Sequence, residues 1–183
     1  MGQFKKKVFA VIASMAMVIS LFSHVGSVYA AMPEYEIYPT PHTITYQNSD
    51  FILRDKVNVV YEDGIDKYTK SRLKEVTDIK KLSISTSSAL IDNSDESVTE
   101  KVTNILVGIK GSGGYVDQYV QNNKSVSHDL FDKNDSYYLE VNDGTIIILG
   151  KDTNAAFYGL TTLYHVFNQL ESRTIRHFTV EDY

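Results

Sequence analysis

The sequence predicts an α+β domain: a single mixed or antiparallel sheet with helices packed on one face. Three observations carry that prediction. Short stretches dense in β-formers recur, namely "DFILRD" (50–55), "KVNVVYED" (56–63), "TNILVGIK" (103–110) and the pair within "SYYLEVNDGTIIIL" (136–149). Residues 64–82 and 157–170 instead place apolar side chains at helical spacing. The resulting order, β-β-α-β-α-β-β-α, suits helices laid on one sheet.

Taken in order, residues 1–30 read as a signal peptide. "MGQFKKK" is a basic start, "VFAVIASMAMVISLF" (8–22) is continuously apolar, and Val28 and Ala30 suit cleavage near Ala30–Ala31. That apolar run is shorter than the roughly 20 residues a membrane-spanning helix needs. Secretion is therefore expected, with no membrane contact after cleavage. "MPEYEIYPTPHTITY" (32–46) holds all three prolines, which fix φ and restrain their predecessors, so it reads as extended. In 57–62, Val57, Val59 and Tyr61 alternate with Asn58, Val60 and Glu62, a strand with one better-buried face. In 64–82, Ile65, Tyr68, Leu73, Val76, Ile79 and Leu82 form a helical stripe between charges.

The Ser/Thr/Asp-rich 83–101 shows no period and reads as a surface loop. "TNILVGIK" suits a central strand. "GSGG" (111–114) breaks it, and "YVDQYVQNN" reads as a short helix with Tyr115, Tyr119 and Val116 inward. Asp143-Gly144 is the dipeptide of a tight hairpin turn. In the last helix Phe157, Leu160, Thr161, Tyr164 and Phe167 recur at helical spacing, with Leu163 and Leu170 widening the stripe. One of Asp152, Thr153 or Asn154 caps it, and Gly159 allows close approach to the sheet.

Composition excludes several function classes. Without Lys5, Lys6 and Lys7 the formal net charge moves by three, from −5 to −8. No Lys/Arg stripe exists to meet phosphates, which disfavours nucleic-acid binding. The absence of cysteine removes thiol catalysis and cysteine-ligated zinc, and leaves stability to the core.

Local chemistry is equally spare. "GIKGSGG" (108–114) lacks a third glycine at Val116 and any following Gly-Lys-Ser/Thr, so it reads as a turn before a helix. Asp132, Asn134, Ser136 and Asp143 match part of a calcium-loop register, but Tyr137 stands where glycine is needed. "DNSDES" (92–97) reads as a solvated loop. His42, His128, His165 and His177 form no metal-binding spacing, and no GxSxG elbow supports a serine nucleophile. Glu181-Asp182 is an adjacent acidic pair with nothing after it to build a pocket. The expected catalytic, cofactor and metal residues are none.

Three segments nevertheless resemble a known family. "IYPTPHTITY" (37–46), "GKDTNAAFYGLTTLYHVF" (150–167) and "RTIRHFTVEDY" (173–183) are together similar to the N-terminal domain of secreted clostridial β-N-acetylglucosaminidases. These are the hyaluronidase-like enzymes of glycoside hydrolase family 84; family 20 hexosaminidases carry a similar domain. Ala156 departs from the glycine common in relatives. The resemblance implies a non-catalytic α+β domain over 31–175 and a linker beginning at 176–183. It also implies a (β/α)8 barrel that holds all the chemistry, through an aspartate pair that assists the substrate's 2-acetamido group. A barrel needs around 250 residues, so the sequence is expected to stop where the enzyme would begin and to be inactive alone. The barrel is the implied partner, met through an exposed apolar face. A free-standing module that binds host glycans through its tyrosines is the alternative, and an unrelated secreted α+β protein a third.

Overall fold

Asp143 and Gly144 join two strands through a turn in which both residues have positive φ, 41° and 76°. That turn matches the right-handed twist of paired strands. The strands are β5 (Tyr137–Asn142) and β6 (Thr145–Gly150), paired antiparallel throughout. They sit at the centre of a seven-stranded mixed sheet in a computed structural model that describes residues 34–96 and 98–183. The signal-peptide reading of 1–30 lies outside the described residues. The other strands are β1 (Thr43–Ile52), β2 (Lys56–Tyr61), β3 (Ser83–Thr86), β4 (Thr103–Ile109) and β7 (Thr174–Asp182). The sheet order is β1-β7-β5-β6-β4-β2-β3. Pairing is antiparallel from β1 to β6 and parallel from β6 to β3. The α+β class with one mixed sheet is as the sequence predicts.

Two strands were not legible. Every residue of β3 is exposed, so this edge strand carries no apolar alternation and looks like the loop around it. Residues 176–182, within the segment read as the start of a linker, are part of β7. The strand lies between β1 and β5, with Ile175, His177, Phe178 and Val180 buried. The two-sided hydrogen bonding that makes it a strand comes from partners about 40 and 130 residues away in sequence.

The helices are α1 (Lys67–Ile79), α2 (Tyr115–Asn123) and α3 (Thr153–Gln169). α1 and α3 share one face of the sheet over the larger core, which includes Val59, Leu73, Val76, Leu139, Ile148, Leu160, Leu163 and Phe167. Arg72 of α1 lies over the rings of Phe157 and Tyr164 of α3, 4.8 and 5.4 Å from their centroids. The predicted stripes are rotated slightly. Tyr68 points outward and Thr69 inward, while Ala156, Gly159, Val166 and Phe167 line the sheet side of α3. Of the capping candidates Asp152 does the work, accepting the Ala155 N–H at 2.9 Å. Asp152→Ala is expected to lower the unfolding free energy by about 1 kcal/mol, read by urea denaturation; an unchanged midpoint would remove the cap's role.

The short helix α2 packs on the opposite face, so that face is covered too. Val116 and Val120 enter a second core with Val60, Leu106, Ile147 and Leu149, while Tyr115 and Tyr119 remain half-buried. The inward pair is the i, i+4 valines rather than the tyrosines. For this reason β2 is buried on both sides rather than one, and its Asn58 is satisfied by Asn104 Oδ1 at 3.0 Å and the Ala89 carbonyl at 3.1 Å.

The second face also holds a buried charge pair. Glu140 accepts from Lys124 at 2.7 Å, from the Tyr138 hydroxyl and from Asn142. Burial alone would raise the Glu140 pKa, but these bonds and the Lys124 charge together hold it below its ordinary value. A carboxyl lowered in the folded state stabilises above its ordinary range and loses that contribution as pH falls through the folded value. Lys124→Met would leave Glu140 buried without its cation. The variant is expected to lose about 2 kcal/mol near neutral pH, with the gap to the parent shrinking on acidification as Glu140 takes a proton. A pH-independent gap would contradict this account.

Candidate functional site

Segments far apart in sequence meet at one end of the sheet. Tyr38 and Pro39 precede β1, Tyr158, Thr161 and Thr162 lie on α3, and Asp182 and Tyr183 close β7. With Asp135 and Tyr137 they line an open cleft of about 240 Å³. The pairing of Thr43 with Glu181 brings the lead-in to β1 beside the end of β7. Packing of α3 on the sheet supplies the third wall. Side chains alternate across a strand, so Asp182 enters the cleft while Glu181 accepts the Ser127 N–H at 2.8 Å elsewhere.

The floor is a closed hydrogen-bond chain. The Tyr137 hydroxyl and Thr162 Oγ1 lie 2.7 Å apart, and Tyr137 donates to Asp182 Oδ2 at 3.2 Å. Asp182 Oδ1 accepts from the His42 backbone at 3.0 Å and from its Nδ1 at 2.8 Å. Burial pushes the Tyr137 phenol well above its ordinary value, with the nearby Asp182 charge adding to the effect. It therefore stays a donor across the working pH range. The Thr161 hydroxyl is spent on the Phe157 carbonyl at 3.0 Å. The His42 ring stacks on Tyr183 at 3.7 Å between centroids, and Lys133 Nζ lies 5.7 Å from the same ring.

The rim is aromatic and exposed: Tyr38 is 69 % accessible, Tyr158 46 % and Tyr183 50 %. Asp182, with both oxygens engaged, braces the end of β7 and is no free base. The sequence reading left Glu181-Asp182 without a pocket; Asp182 in fact stands in a cleft wall, because α3 and the segment before β1 enclose it. Sequence reasoning did not group Tyr38, Tyr158 and Tyr183. Yet the three stretches that carry the family resemblance are the ones that supply most of this cleft.

The other candidates are dispersed. In 108–114 Gly111 and Gly113 take positive φ, and Gly114 caps α2. The backbone donors there are already occupied by built-in carboxylates. Glu62 accepts from Asp117 N at 2.6 Å, and Asp117 accepts from Gly113 N at 3.0 Å. Asp132 and Asp143 stand at opposite ends of β5, roughly 20 Å of extended chain apart, so they share no ion. Asp92 is bonded within its own turn to Ser94. His128 is exposed and His165 half-buried. His177, in the sheet, has Nδ1 2.8 Å from Ser49 Oγ and accepts the Asp143 N–H at 3.3 Å through Nε2. Among the described residues the four histidines therefore do not converge.

The model of glycosyl hydrolase family 20, domain 2, matches residues 34–183. The chain belongs to this family. The matched residues include all of β7. This family 20 domain 2 chain is similar to the solved structure of CpGH84D, with 41 % identity and a TM-score of 0.77 over 83 % of its length. That identity supports the family 84 recognition made from the three motifs. CpGH84B, at 23 % identity and TM-score 0.61 over 81 % of this chain, shares the fold. So does a GH20 exo β-N-acetylglucosaminidase from Vibrio harveyi, at 16 % identity and TM-score 0.51 over 82 %. The chain spans 24 %, 22 % and 20 % of these three proteins respectively. None of the curated proteins compared with it matches. As a family 20 domain 2, it is an accessory type of glycoside hydrolase domain.

Proposed function

We propose that this domain is the N-terminal accessory part of a secreted β-N-acetylglucosaminidase or hyaluronidase-type enzyme, and that it braces a catalytic barrel without hydrolysing anything itself. The observation that carries the proposal is the family match across 34–183 together with 41 % identity to CpGH84D, of which the chain spans only 24 %. The hydrogen-bond chain beneath the tyrosine cleft agrees with it, because the half-buried Asp182 carboxylate is tied up by His42 and Tyr137 rather than poised as an acid or base. Secretion rests on the basic, apolar and small-residue order of residues 1–30. Purified 31–183 is expected to release no chromophore from a chromogenic N-acetylglucosaminide above the enzyme-free blank. Turnover abolished by a single carboxylate substitution in the chain would overturn the proposal.

A further inference from the structure

We propose that the tyrosine cleft at the end of β7 is the surface on which a catalytic domain of the same polypeptide docks. This rests on the accessory-domain reading and adds the place of contact. Single exposed apolar side chains are ordinary on a protein surface, whereas a cluster of them marks an interaction site. Among the described residues six large hydrophobics are exposed, and three of them, Tyr38, Tyr158 and Tyr183, border this one cleft. Tyrosine rings cover much area at small cost in side-chain freedom and concentrate in interface cores.

The polar chemistry argues for a protein rather than a sugar in the cleft. A bound pyranose needs free donors and acceptors to fix its hydroxyls, as small-ligand pockets provide. Here Thr162, Tyr137 and Asp182 are bonded to one another or to His42, and Thr161 to its own helix. What stays open is aromatic surface, with Asp135 as a carboxylate on the rim. The matching face is therefore largely apolar, with a cation or N–H donor opposite Asp135.

Two facts favour a domain of the same polypeptide over a second copy. Most of CpGH84D lies outside the part this chain matches, since the match covers 24 % of it. Tyr183 is itself on the rim, so any polypeptide continuing past it departs from the cleft's edge. A domain tethered there reaches the rings at high effective concentration, which a second copy lacks.

The test is oxidative footprinting of tyrosines in two proteins: purified 31–183, which has its own complete sheet and core, and a chimera in which residues 34–183 replace the matching domain of CpGH84D. In the isolated domain Tyr38, Tyr158, Tyr183 and the exposed Tyr68 of α1 should all be modified. In the chimera the three cleft tyrosines should be protected on the order of tenfold, as residues excluded from water in an interface are, while Tyr68 stays reactive. Protection elsewhere on 34–183 with the cleft still reactive would overturn the proposed surface but keep the accessory role. No protection anywhere would remove both. Protection of the cleft in the isolated domain by chito-oligosaccharide, absent in the chimera, would make it a glycan site. Protection that grows with domain concentration alone would make it a self-association face.

Discussion

Gly150→Ala is expected to destabilise the domain by about 3 kcal/mol or more, well beyond an ordinary surface change. Gly150 ends β6, where the chain turns into α3. A methyl group there would lie 2.3 Å from the Ala156 backbone nitrogen, 2.6 Å from the Asp152 carbonyl oxygen and 2.9 Å from the Ala155 carbonyl carbon. All three are backbone atoms of the first turn of α3, so no flexible side chain can move aside. Relief requires lifting the helix start from the strand, which disturbs the Asp152 cap and the contact of Gly159 with Ile148 and Tyr137. Gly111→Ala is the comparison. Nothing lies within 4 Å of a methyl group there and only its φ of 77° is unfavourable, so a cost of about 1 kcal/mol is expected. Equilibrium urea unfolding of both variants decides it, and a loss at Gly150 no larger than that at Gly111 would show that the first turn of α3 yields to make room for the methyl group.

Removal of Glu62 is expected to cost about 3–5 kcal/mol as Glu62→Ala, and roughly 1–2 kcal/mol as Glu62→Gln. The Glu62 side chain is buried and accepts two backbone N–H groups at 2.6 Å, from Ile109 at the end of β4 and from Asp117 in the first turn of α2. Its charge also complements the positive end of α2. Alanine would strand both donors in a dry interior and leave a void. Glutamine keeps the shape and one acceptor, but turns an amide N–H toward the other donor. Gly108 and Gly114 crowd the carboxylate closely enough that water has little room to replace it. Unfolding free energies should therefore rank parent, then glutamine, then alanine. An alanine variant within about 1 kcal/mol of the parent would show that α2 holds its place by Val116 and Val120 alone.

Elements set by local chemistry were legible. The Asp143-Gly144 turn, the apolar β4 and the span of α3 need only residues a few positions apart, since turn geometry and helical periodicity are short-range. The family, too, was readable from three short segments. β3 was hidden because an exposed edge strand is a strand only by its hydrogen bonds to β2. β7 was hidden because both of its neighbours are distant in sequence. The misassigned faces of Tyr68, Tyr115 and Tyr119 share one cause. Aromatic weight suggested burial, whereas small or β-branched residues fit better where helix and sheet approach closely.

By itself, then, the amino-acid order determined the class of fold, the hairpin, the long helices and the ancestry, all carried by local pattern. The tertiary structure alone decided that residues 174–182 are an interior strand, that α2 covers the second face, and that Tyr38, Tyr158 and Tyr183 border one cleft. Those three tyrosines are more than a hundred residues apart at the extremes. Only the pairing of β1 with β7, and the seating of α3 on the sheet, turn scattered side chains into a surface.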